Sequence, residues 1–553
     1  MTDQTTITKG QRLIELLQAY GVETVFGIPG VHTVELYRGL ASSNINHITP
    51  RHEQGAGFMA DGYARTTGKP GVCFVITGPG LTNIATAMGQ ALADSIPMLV
   101  ISTVNPAGTE GMGCLHAMPT QQAMIKPLTV AAFELNRGDD IDDIVDQVFA
   151  ALSATNGTKL GPVHLQIPLD LMGQKWVPTQ IIHPETLAPV FPLFCVGAQT
   201  ALSQAANLLN QSTKTVILAG GGAIKSQAQI QTLAEKLDAP VVTTINGRGL
   251  MANHPLSVPA SPSLDSVRAL LAAADCILAL GTEMGQTDYD MNVNGQFPIL
   301  NNLIRVDINP AVIGNTDQLG IHTSVCQALE HLLPVLTNNN KSQSQTGATR
   351  ALQTRQAAVA ELPPNYQLQH QFLQCITKAL PNAIIVGDST QPIYAGNCYF
   401  EANAPGHWFN SATGFGTLGY AVPAAIGAAL GLQTKPAQTK QPIIAITGDG
   451  GLQFCLSELA TAKDTQLPII YIVWNNHGYG EIETSMRAVG VTPVGVSPQP
   501  PLLPAIAQAY GLGYQCITDT NDLMAQLQVA ANGTQPVILE IIESDFMIHL
   551  SQQ

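Results

Sequence analysis

The sequence predicts an α/β protein built from three doubly wound, parallel-sheet domains. Short apolar runs that end in glycine alternate with segments of helical periodicity along most of the 553 residues. The chain is also too long for one hydrophobic core. A proline-rich stretch, Pro178–Pro192, and a polar stretch, Thr337–Thr349, divide it. We therefore expect domains at residues 1–178, 193–337 and 350–553.

Composition narrows the classes of function. Apolar residues make up 45% of the chain and charged residues 11%, which is typical of a globular protein with much buried surface. The net charge of −15 argues against nucleic acid or an anionic membrane as a partner. The nine cysteines include no CxxC pair, and neither a signal peptide nor an apolar run of membrane length is evident. We expect a cytoplasmic protein in a reducing compartment.

The first third alternates strands and helices. A strand over Val25–Gly30 ends in a Gly-Ile-Pro-Gly turn, where backbone around Pro29 can approach a ligand closely. Helices are predicted over Gln54–Thr66 and after Gly80. The remaining apolar runs predict strands at Ile45–Ile48, Val72–Thr77 and Met98–Ser102. This order favours a parallel sheet with helical crossovers.

The middle third repeats the alternation around a glycine triplet. Strands are predicted at Val216–Gly220, Val241–Thr244, Cys276–Gly281 and Ile304–Asp307. The sequence AGGGA after the first of them suggests a nucleotide site, but the full GxGxxG fingerprint and its downstream acid are missing. The interpretation is a degenerate nucleotide-binding domain with a structural role.

The last third contains a strand–helix–strand unit with polar residues at both strand ends. Strands are predicted at Ile443–Thr447 and Ile469–Trp474, with GDGG and a helix to Thr465 between them. Parallel strands end at the same sheet edge, so Asp449 and Asn476 should lie side by side. A carboxylate, an amide oxygen and backbone N–H groups suit a Mg²⁺ ion that carries a diphosphate.

This GDG–helix–NN pattern resembles that of thiamine-diphosphate (ThDP) enzymes. The resemblance implies that the Asp449 and Asn476 side chains and the Gly478 carbonyl bind Mg²⁺. It also implies cofactor contacts at four neighbouring positions: Gly448, Gly450, Gly451 and Tyr479.

A second segment, RHEQGAGFMADGYAR, resembles the family segment whose glutamate bonds to N1′ of the aminopyrimidine ring. The resemblance assigns this role to Glu53. From spacing alone, the favoured interpretation of Glu53 is a first-turn carboxylate stabilised by the helix dipole. GPGLTN resembles a motif near the pyrimidine half of the cofactor, which implies contacts from Thr77 and Asn83. The alternative interpretation is that Asn83 is an ordinary helix-entry residue.

Two motifs in the last third of the chain resemble family segments that contact the cofactor. In GDSTQ, the side chains of Ser389, Thr390 and Gln391 could donate to the diphosphate, and helix capping is the alternative. SATGFGTLGYAVPAAIGA resembles a family segment in which a Met braces the cofactor. Leu418 stands in place of that Met, and Gly416 would supply a carbonyl to the 4′-amino group.

The residues on the substrate side depart from the acetolactate synthase pattern. GMGCLHAMPTQQAMIKP contains His116 and Gln121 as candidates for acid–base or substrate contacts, with a structural loop histidine as the alternative for His116. LGTEMGQTDYD lacks the arginine of the FAD-binding segment, and HGYGEIETSM lacks the pocket tryptophan. FAD is therefore not expected.

VGDSTQPIYAGN and GYGEI resemble the 5-guanidino-2-oxopentanoate decarboxylase branch of the family. The resemblance implies ThDP- and Mg²⁺-dependent, non-oxidative decarboxylation of a 2-keto acid to an aldehyde and CO₂. Glu481 could pair with a guanidinium or be a solvated helix-start acid, and Asp288 and Asp290 are weaker candidates. The alternatives are an acetolactate synthase-like carboligase and a catalytically inactive binding subunit.

The resemblance also implies an assembly. Family members place the pyrimidine-binding domain of one subunit against the diphosphate-binding domain of another. We therefore expect a homodimer or homotetramer with active sites at the subunit interface, where Glu53 reaches a neighbour's cofactor.

Overall fold

The protein contains three six-stranded sheets in which every strand pairing is parallel. The computed structural model describes residues 6–154, 159–177, 197–291, 295–314, 319–337, 346–434 and 441–551. The predicted fold class is confirmed. By packing, the chain divides into two compact units, the first made of residues 1–191, 422–440 and 455–467 and the second of the remainder.

The N-terminal domain has the strand order β3-β2-β4-β5-β7-β6, with a small antiparallel β1–β8 pair beside it. Its strands are β1 Ile7–Thr8, β2 Thr24–Gly27, β3 Asn46–Ile48, β4 Gly71–Val75, β5 Met98–Val104, β6 Ala131–Glu134, β7 Pro162–Pro168 and β8 Lys175–Trp176. Its helices are α1 Lys9–Ala19, α2 Val34–Leu40, α3 Glu53–Thr67, α4 Pro79–Ala93, α5 Gln121–Ile125, α6 Ile141–Leu152 and α7 Leu169–Met172.

The central domain has the order β11-β10-β9-β12-β13-β14. Its strands are β9 Thr215–Ala219, β10 Val241–Thr243, β11 Ser257–Val258, β12 Cys276–Leu280, β13 Leu303–Asp307 and β14 Leu319–His322. Its helices are α8 Ala198–Gln211, α9 Gln227–Leu237, α10 Asp265–Ala272, α11 Gln286–Tyr289, α12 Pro310–Ile313 and α13 Val325–Val335.

The C-terminal sheet has the order β16-β15-β17-β18-β20-β19. Its strands are β15 Ile384–Gly387, β16 Trp408–Asn410, β17 Ile443–Gly448, β18 Ile469–Asn475, β19 Gly513–Ile517 and β20 Val537–Ile542. The helices of this part of the chain are α14 Gly347–Ala360, α15 Pro364–Ala379, α16 Gln391–Cys398, α17 Ala421–Gln433, α18 Asp449–Gln453, α19 Glu458–Thr465, α20 Gly480–Ala488, α21 Leu503–Tyr510, α22 Thr520–Ala531 and α23 Glu543–Ser551.

The sheets are buried on both faces, which explains their continuous apolar strands. In β9, Val216 and Leu218 belong to one hydrophobic core, while Ile217 and Ala219 belong to another. Successive side chains of a strand point to opposite faces, so both faces of this sheet are covered. An uninterrupted apolar run is the pattern that such a strand requires.

Two details differ from the sequence-based expectation. The helix predicted between GDGG and Thr465 is two helices, α18 and α19, because a turn after Gln453 breaks it. The break lets α18 belong to the second compact unit and α19 to the first. Of the two predicted connectors, Pro178–Pro192 lies outside the described residues, and α14 begins within the second, at Gly347.

Small residues let α3 approach α17 closely within the first unit. A β-carbon on Gly62 would lie 2.0 Å from the Ala424 carbonyl oxygen, and one on Gly427 would lie 1.8 Å from the Met59 carbonyl oxygen. Neither position tolerates a side chain. The small-residue pattern of GAGFMADGYA therefore reflects this helix contact as well as any ligand.

No helix among the described residues combines the length and the apolar character needed to cross a membrane.

Candidate active site

Asp449 and Asn476 lie at adjacent strand ends of the C-terminal sheet. β17 and β18 pair in parallel with Gly448 opposite Trp474, so both chains leave the sheet at the same edge. The Asn476 backbone N–H lies 3.4 Å from Asp449 Oδ1. Asp449 is fully buried, and its Oδ2 has no hydrogen-bond partner in the described part of the chain. A buried carboxylate oxygen without a partner is costly unless a cation or donor binds it.

Three ligand atoms converge at this edge. The end of the Asn476 amide that faces Asp449 lies 3.1 Å from Asp449 Oδ1 and 2.7 Å from the Gly478 carbonyl oxygen. With nitrogen at that end, the amide would donate to both oxygens. With oxygen there, three oxygens face one another and require a cation. Adjacent ligands of an octahedral Mg²⁺ lie about 2.9 Å apart, because each lies 2.0–2.1 Å from the metal.

The neighbouring contacts favour oxygen at that end. The other end of the Asn476 amide lies 3.4 Å from Gln391 Oε1, a contact that suits Nδ2 there. The preceding residue, Asn475, turns inward and donates to Glu540 Oε1 at 2.7 Å. The two asparagines therefore have separate roles, one in the core and one at the sheet edge. The donor set of Asp449, Asn476 and Gly478 fits a hard divalent cation such as Mg²⁺.

The backbone at Val496 packs against Gly478 and fixes the position of its carbonyl. Gly478 has φ +150°, and a β-carbon there would lie 2.3 Å from the Val496 carbonyl oxygen. The Tyr479 N–H donates to the same oxygen at 2.8 Å. The Tyr479 ring packs over Gly450, where a β-carbon would lie 2.6 Å from the ring. Glycine is required at both positions because backbone or an aromatic ring occupies the space.

Asp388, which the sequence analysis did not single out, organises the loops beside this edge. Its buried carboxylate accepts from the Ser389 N–H at 2.9 Å, the Gly419 N–H at 2.9 Å and the Thr447 hydroxyl at 3.1 Å. A β-carbon on Gly451 would lie 3.0 Å from Asp388 Oδ2. Burial raises the pKa of this carboxyl, and the hydrogen bonds oppose that shift. Asp388 thus links the end of β15 to the loop that contains Gly419 and to the end of β17.

The predicted diphosphate contacts surround that strand end. Thr390 is the N-cap residue of α16, but its side chain makes no capping bond. A β-carbon on Gly448 would lie 3.2 Å from the Thr390 hydroxyl oxygen. The Ser389 hydroxyl lies 3.3 Å from the Thr417 carbonyl oxygen and 3.3 Å from the Ser411 hydroxyl. Of the two capping candidates, Thr390 is the one left for a ligand.

The GTLG segment has an exposed, strained turn. Gly416 has φ +73°, a conformation that favours glycine, and it is exposed. Leu418 is half-buried, and its carbonyl oxygen accepts from the Thr417 hydroxyl at 3.1 Å. Asp388 anchors the next residue, Gly419. The predicted wedge residue is therefore attached directly to the strand end that carries Asp388.

Glu53 begins α3 in the first unit, as the sequence predicts to within one residue. Asn83 donates to Glu53 Oε2 at 2.9 Å, and Oε1 has no partner in the described ranges. One carboxylate oxygen is thus fixed, while the other can bind a ligand. Asn83 lies within α4 and contacts the predicted catalytic residue, so it is more than a helix-entry residue.

The histidine at position 32 is a site candidate that the sequence analysis missed. His32 Nδ1 lies 3.0 Å from the Thr77 hydroxyl, which in turn lies 2.9 Å from the Thr103 hydroxyl. The His32 and His116 rings meet edge to face, with centroids 5.2 Å apart. Burial, followed by the nearby His116, lowers the pKa of His32. Pro29, in the same turn, is exposed.

His116 is half-buried and has φ +58°, a strained conformation for a side-chain-bearing residue. A β-carbon on Gly78 would lie 2.5 Å from the His116 carbonyl oxygen, so the two loops touch. The only sequence signal for the His32–His116 pair was the position of His32 after the Gly-Ile-Pro-Gly turn.

Gln121, predicted as a catalytic candidate, is buried and its amide is engaged by protein groups. Its Nε2 donates to the Thr103 carbonyl at 2.9 Å and to Gln166 Oε1 at 3.0 Å. Its Oε1 accepts from the Gly78 N–H at 2.9 Å. This geometry favours a positioning role for Gln121, because the side chain is only 2% exposed.

Glu481 is a half-buried carboxylate in the first turn of α20. No group among the described residues hydrogen-bonds to it, and burial raises its pKa. Burial raises the pKa of Tyr394 to about 12, and the charge of Glu481 adds to that shift and acts on Tyr366 in the same direction. A carboxylate flanked by two tyrosines is suited to a cationic ligand.

The two weaker acidic candidates are engaged inside the central domain. Asp288 Oδ1 accepts from the Ile245 N–H at 2.9 Å. Asp290 is 4% exposed, accepts from the Gly295 N–H at 2.9 Å, and lies 3.6 Å from the Arg268 guanidinium. These bonds hold a loop of the central domain, and a substrate contact from either residue stays a prediction.

Three family models match successive parts of the chain. They describe the N-terminal TPP-binding, central and C-terminal TPP-binding domains of thiamine pyrophosphate enzymes, at residues 7–124, 202–332 and 388–541. Two solved structures share the fold at 22% sequence identity over 97% of this chain and 99% of theirs. They are a thiamin diphosphate-dependent enzyme from Mycobacterium smegmatis, at a TM-score of 0.80, and a 4-hydroxybenzoylformate decarboxylase from Rhodococcus jostii, at 0.77.

Two curated relatives are similar over nearly their whole length. A Pseudomonas aeruginosa protein named as a probable 2-ketoarginine decarboxylase, AruI, is 39% identical over 98% of this chain and 95% of the relative. The large subunit of acetolactate synthase isozyme 1 of Escherichia coli is 30% identical over 97% of this chain and 93% of the relative. The chain therefore belongs to the thiamine-diphosphate-dependent enzyme family.

Proposed function

We propose that this protein is a ThDP- and Mg²⁺-dependent decarboxylase of a 2-keto acid with a cationic side chain. The candidate substrate is 5-guanidino-2-oxopentanoate, which is 2-ketoarginine. The observation that carries the proposal is Glu481, a half-buried carboxylate with no partner among the described residues, three residues beyond the metal-site residue Gly478. The name of the Pseudomonas aeruginosa relative supports the same substrate class.

The proposed cofactor site uses the residues at the C-terminal sheet edge. Asp449, Asn476 and the Gly478 carbonyl would hold Mg²⁺, and the Thr390 hydroxyl would donate to the diphosphate. When bound, ThDP supplies the electron sink that accepts the pair released as CO₂ leaves a 2-keto acid. The buried position of Asp449 strengthens its interaction with a divalent cation.

The proposed activating residue is Glu53. Asn83 holds its Oε2, and Oε1 would bond to the aminopyrimidine N1′. His116, paired edge to face with the buried His32, is the proposed acid–base group on the substrate side. His32 has a lowered pKa, so it favours the neutral form and can accept or relay a proton at neutral pH.

The guanidinium of the substrate would lie against Glu481 and the tyrosine rings. Arginine-type groups bind carboxylates with paired hydrogen bonds and stack on aromatic faces. A charge-assisted hydrogen bond contributes about 1.5–3 kcal/mol, or roughly 10- to 100-fold in kcat/KM. Glu481→Gln should therefore lose that factor on the guanidino acid and change little on pyruvate.

The test is a decarboxylation screen over 2-keto acids with cationic, aromatic and short aliphatic side chains. Glu483→Gln is the matched control, because Glu483 is on the same helix but forms an exposed ion pair with Arg487 at 2.6 Å. It should leave the preference unchanged. A preference for pyruvate or phenylpyruvate, or an equal loss on all substrates in Glu481→Gln, would contradict the cationic pocket.

The similarity to the acetolactate synthase subunit favours one second candidate, a carboligase that condenses two keto acids. Incubation with pyruvate alone distinguishes the two, since a decarboxylase releases an aldehyde and a carboligase forms acetolactate. The proposal extends to a cytoplasmic homodimer or homotetramer and to a central domain without FAD.

A further inference from the structure

A second buried carboxylate, Glu458, lies directly beside the turn that carries Glu53. It is the first residue of α19 and is 1% exposed. Its Oε1 accepts from the backbone N–H groups of Arg51 and His52, each at 3.0 Å. Its Oε2 accepts from the Thr461 hydroxyl at 2.7 Å and from the Arg51 N–H at 3.2 Å. The two bonded backbone groups immediately precede Glu53, and all of these residues belong to the first unit.

The turn before α3 depends on these bonds for its shape. His52 is the N-cap residue with φ −150°, and its ring nitrogen accepts from the Gln54 N–H at 3.1 Å. Two successive N–H groups that point at one carboxylate fix the direction in which the chain enters the helix. That direction determines where the first helical residue, Glu53, presents its side chain.

Gly55 provides the space for this carboxylate. A β-carbon at Gly55 would lie 2.4 Å from Glu458 Oε1 and 2.7 Å from the carboxyl carbon. Glu458 could not reach the Arg51 and His52 N–H groups if residue 55 had a side chain. The glycine two residues after Glu53 is thus explained by the carboxylate behind it.

Burial of Glu458 is costly, so its bonds must compensate. Desolvation raises the pKa of this carboxyl, while the bonds from Thr461, Arg51 and His52 oppose that shift. An ionised carboxylate accepts at both oxygens, which matches the observed contacts. An exposed ion pair between Arg51 and Asp464, at 2.6 Å, links the same helix to the same turn from outside.

We propose that Glu458 is a positioning residue for Glu53: its carboxylate holds the Arg51–His52 turn so that Glu53 meets the cofactor in productive geometry. The inference rests on the proposed role of Glu53. Glu458 itself contacts neither cofactor nor substrate in this scheme. A misplacement of about 1 Å at a reacting group costs on the order of 100-fold in rate.

The first experiment needs no cofactor. Hydrogen–deuterium exchange of the full-length protein is followed by mass spectrometry on peptides that span residues 49–56. In Glu458→Gln, one oxygen replaces two, and whichever way the amide turns its NH₂ faces the Arg51 N–H, so the Arg51 and His52 amides should exchange faster than in the unmodified protein. Asp464→Asn is the matched control, because it removes only the exposed side-chain contact of Arg51 and should leave this exchange unchanged.

The second experiment measures the exchange of the C2 proton of bound ThDP in D₂O, which requires no substrate. We expect Glu458→Gln to slow it about 10- to 100-fold while the dissociation constant of ThDP stays within about twofold. In a Glu53→Gln background, adding Glu458→Gln should cause no further loss, because the carboxylate acts only through Glu53. Additive losses would indicate general damage and overturn the proposal.

Glu458→Asp is the second variant if the Gln variant does not fold. It keeps the charge but is one methylene shorter, so intermediate rates of both exchanges are expected. Normal C2 exchange in the Glu458 variants, with slow exchange in Glu53→Gln, overturns the positioning role alone. Normal exchange in Glu53→Gln overturns the role of Glu53 and this inference together.

Discussion

The central and C-terminal domains share a parallel-sheet topology but differ where the strand order reverses. In an open α/β sheet, ligands bind in the crevice at this reversal. In the central sheet it lies between β9 and β12, and in the C-terminal sheet it lies between β15 and β17. The two crevices can be compared residue by residue.

In the central crevice, the loops that follow β9 and β12 contact each other through backbone atoms. The Gly220 N–H donates to the Leu280 carbonyl and the Gly222 N–H to the Gly281 carbonyl, both at 3.0 Å. A β-carbon on Gly220 would lie 2.3 Å from the Gly281 oxygen. The chain after β9 continues as a 3₁₀ helix, Gly221–Ser226. The glycine triplet therefore allows two loops to pack together, and its N–H groups at 220 and 222 are already used.

In the C-terminal crevice, polar side chains line the same position. A β-carbon on Gly448 would meet the Thr390 hydroxyl at 3.2 Å, and the Asp388 carboxylate lies close to Gly451. Asp449 Oδ2 is buried without a partner among the described residues. Hydrogen-bonding capacity remains here, whereas the Gly220 and Gly222 N–H groups of the central crevice are already used. A glycine-rich turn after a parallel strand can therefore either pack against another loop or leave space for a ligand. The neighbouring loop determines which of the two occurs.

Among the variants that test this difference between the two crevices, Asp449→Asn is expected to have the largest effect. Removing the carboxylate should reduce Mg²⁺–ThDP affinity by more than about 100-fold, since even residues behind a metal ligand contribute 10- to 100-fold. The measurement is the shift in Tm on adding Mg²⁺ and ThDP together. Asp307→Asn is the control, because Asp307 is a buried acid at the end of the central strand β13. If Asp307→Asn abolished the shift in Tm and Asp449→Asn did not, the assignment of the cofactor to the C-terminal crevice would be wrong.

The sequence alone was sufficient to place Asp449 beside Asn476, because that inference needs only two strands and a crossover. It was also sufficient for the strands themselves, whose apolar runs are local. It failed to predict the break between α18 and α19, since the helical periodicity continues across residues 454–457 while packing places the two helices in different units.

Contacts between distant segments account for the missed residues. Asp388, His32 and Glu458 are ordinary residues in the sequence, and each gains its role from partners far along the chain. The partners of Asp288 and Asp290 were missed for the same reason, because an acid carries no local sequence sign of what it bonds. Only the folded structure shows which carboxylates are satisfied.

A moderate effect is expected from Thr390→Val. Valine has nearly the same shape but lacks the hydroxyl, so ThDP should bind about tenfold more weakly, as expected for one hydrogen bond to a charged group. Titration of ThDP at saturating Mg²⁺ measures this affinity. Thr243→Val, at the end of the central strand β10, removes a buried hydroxyl that has no partner among the described residues. An equal loss in both variants would contradict the assignment of the C-terminal crevice to the diphosphate.

The smallest effect is expected from adding FAD or ADP to the unmodified protein. Saturating Mg²⁺–ThDP should raise Tm by about 5 °C or more, and the nucleotides should change it by less than about 1 °C. A diphosphate in the central crevice would have to break the Gly220 and Gly222 backbone bonds and separate two loops in contact. A flavin-coloured protein, or a nucleotide-dependent rise in Tm, would show that separating the two loops costs little free energy. Faster amide exchange at residues 220–222 on adding the nucleotide would then identify the opened crevice as its site.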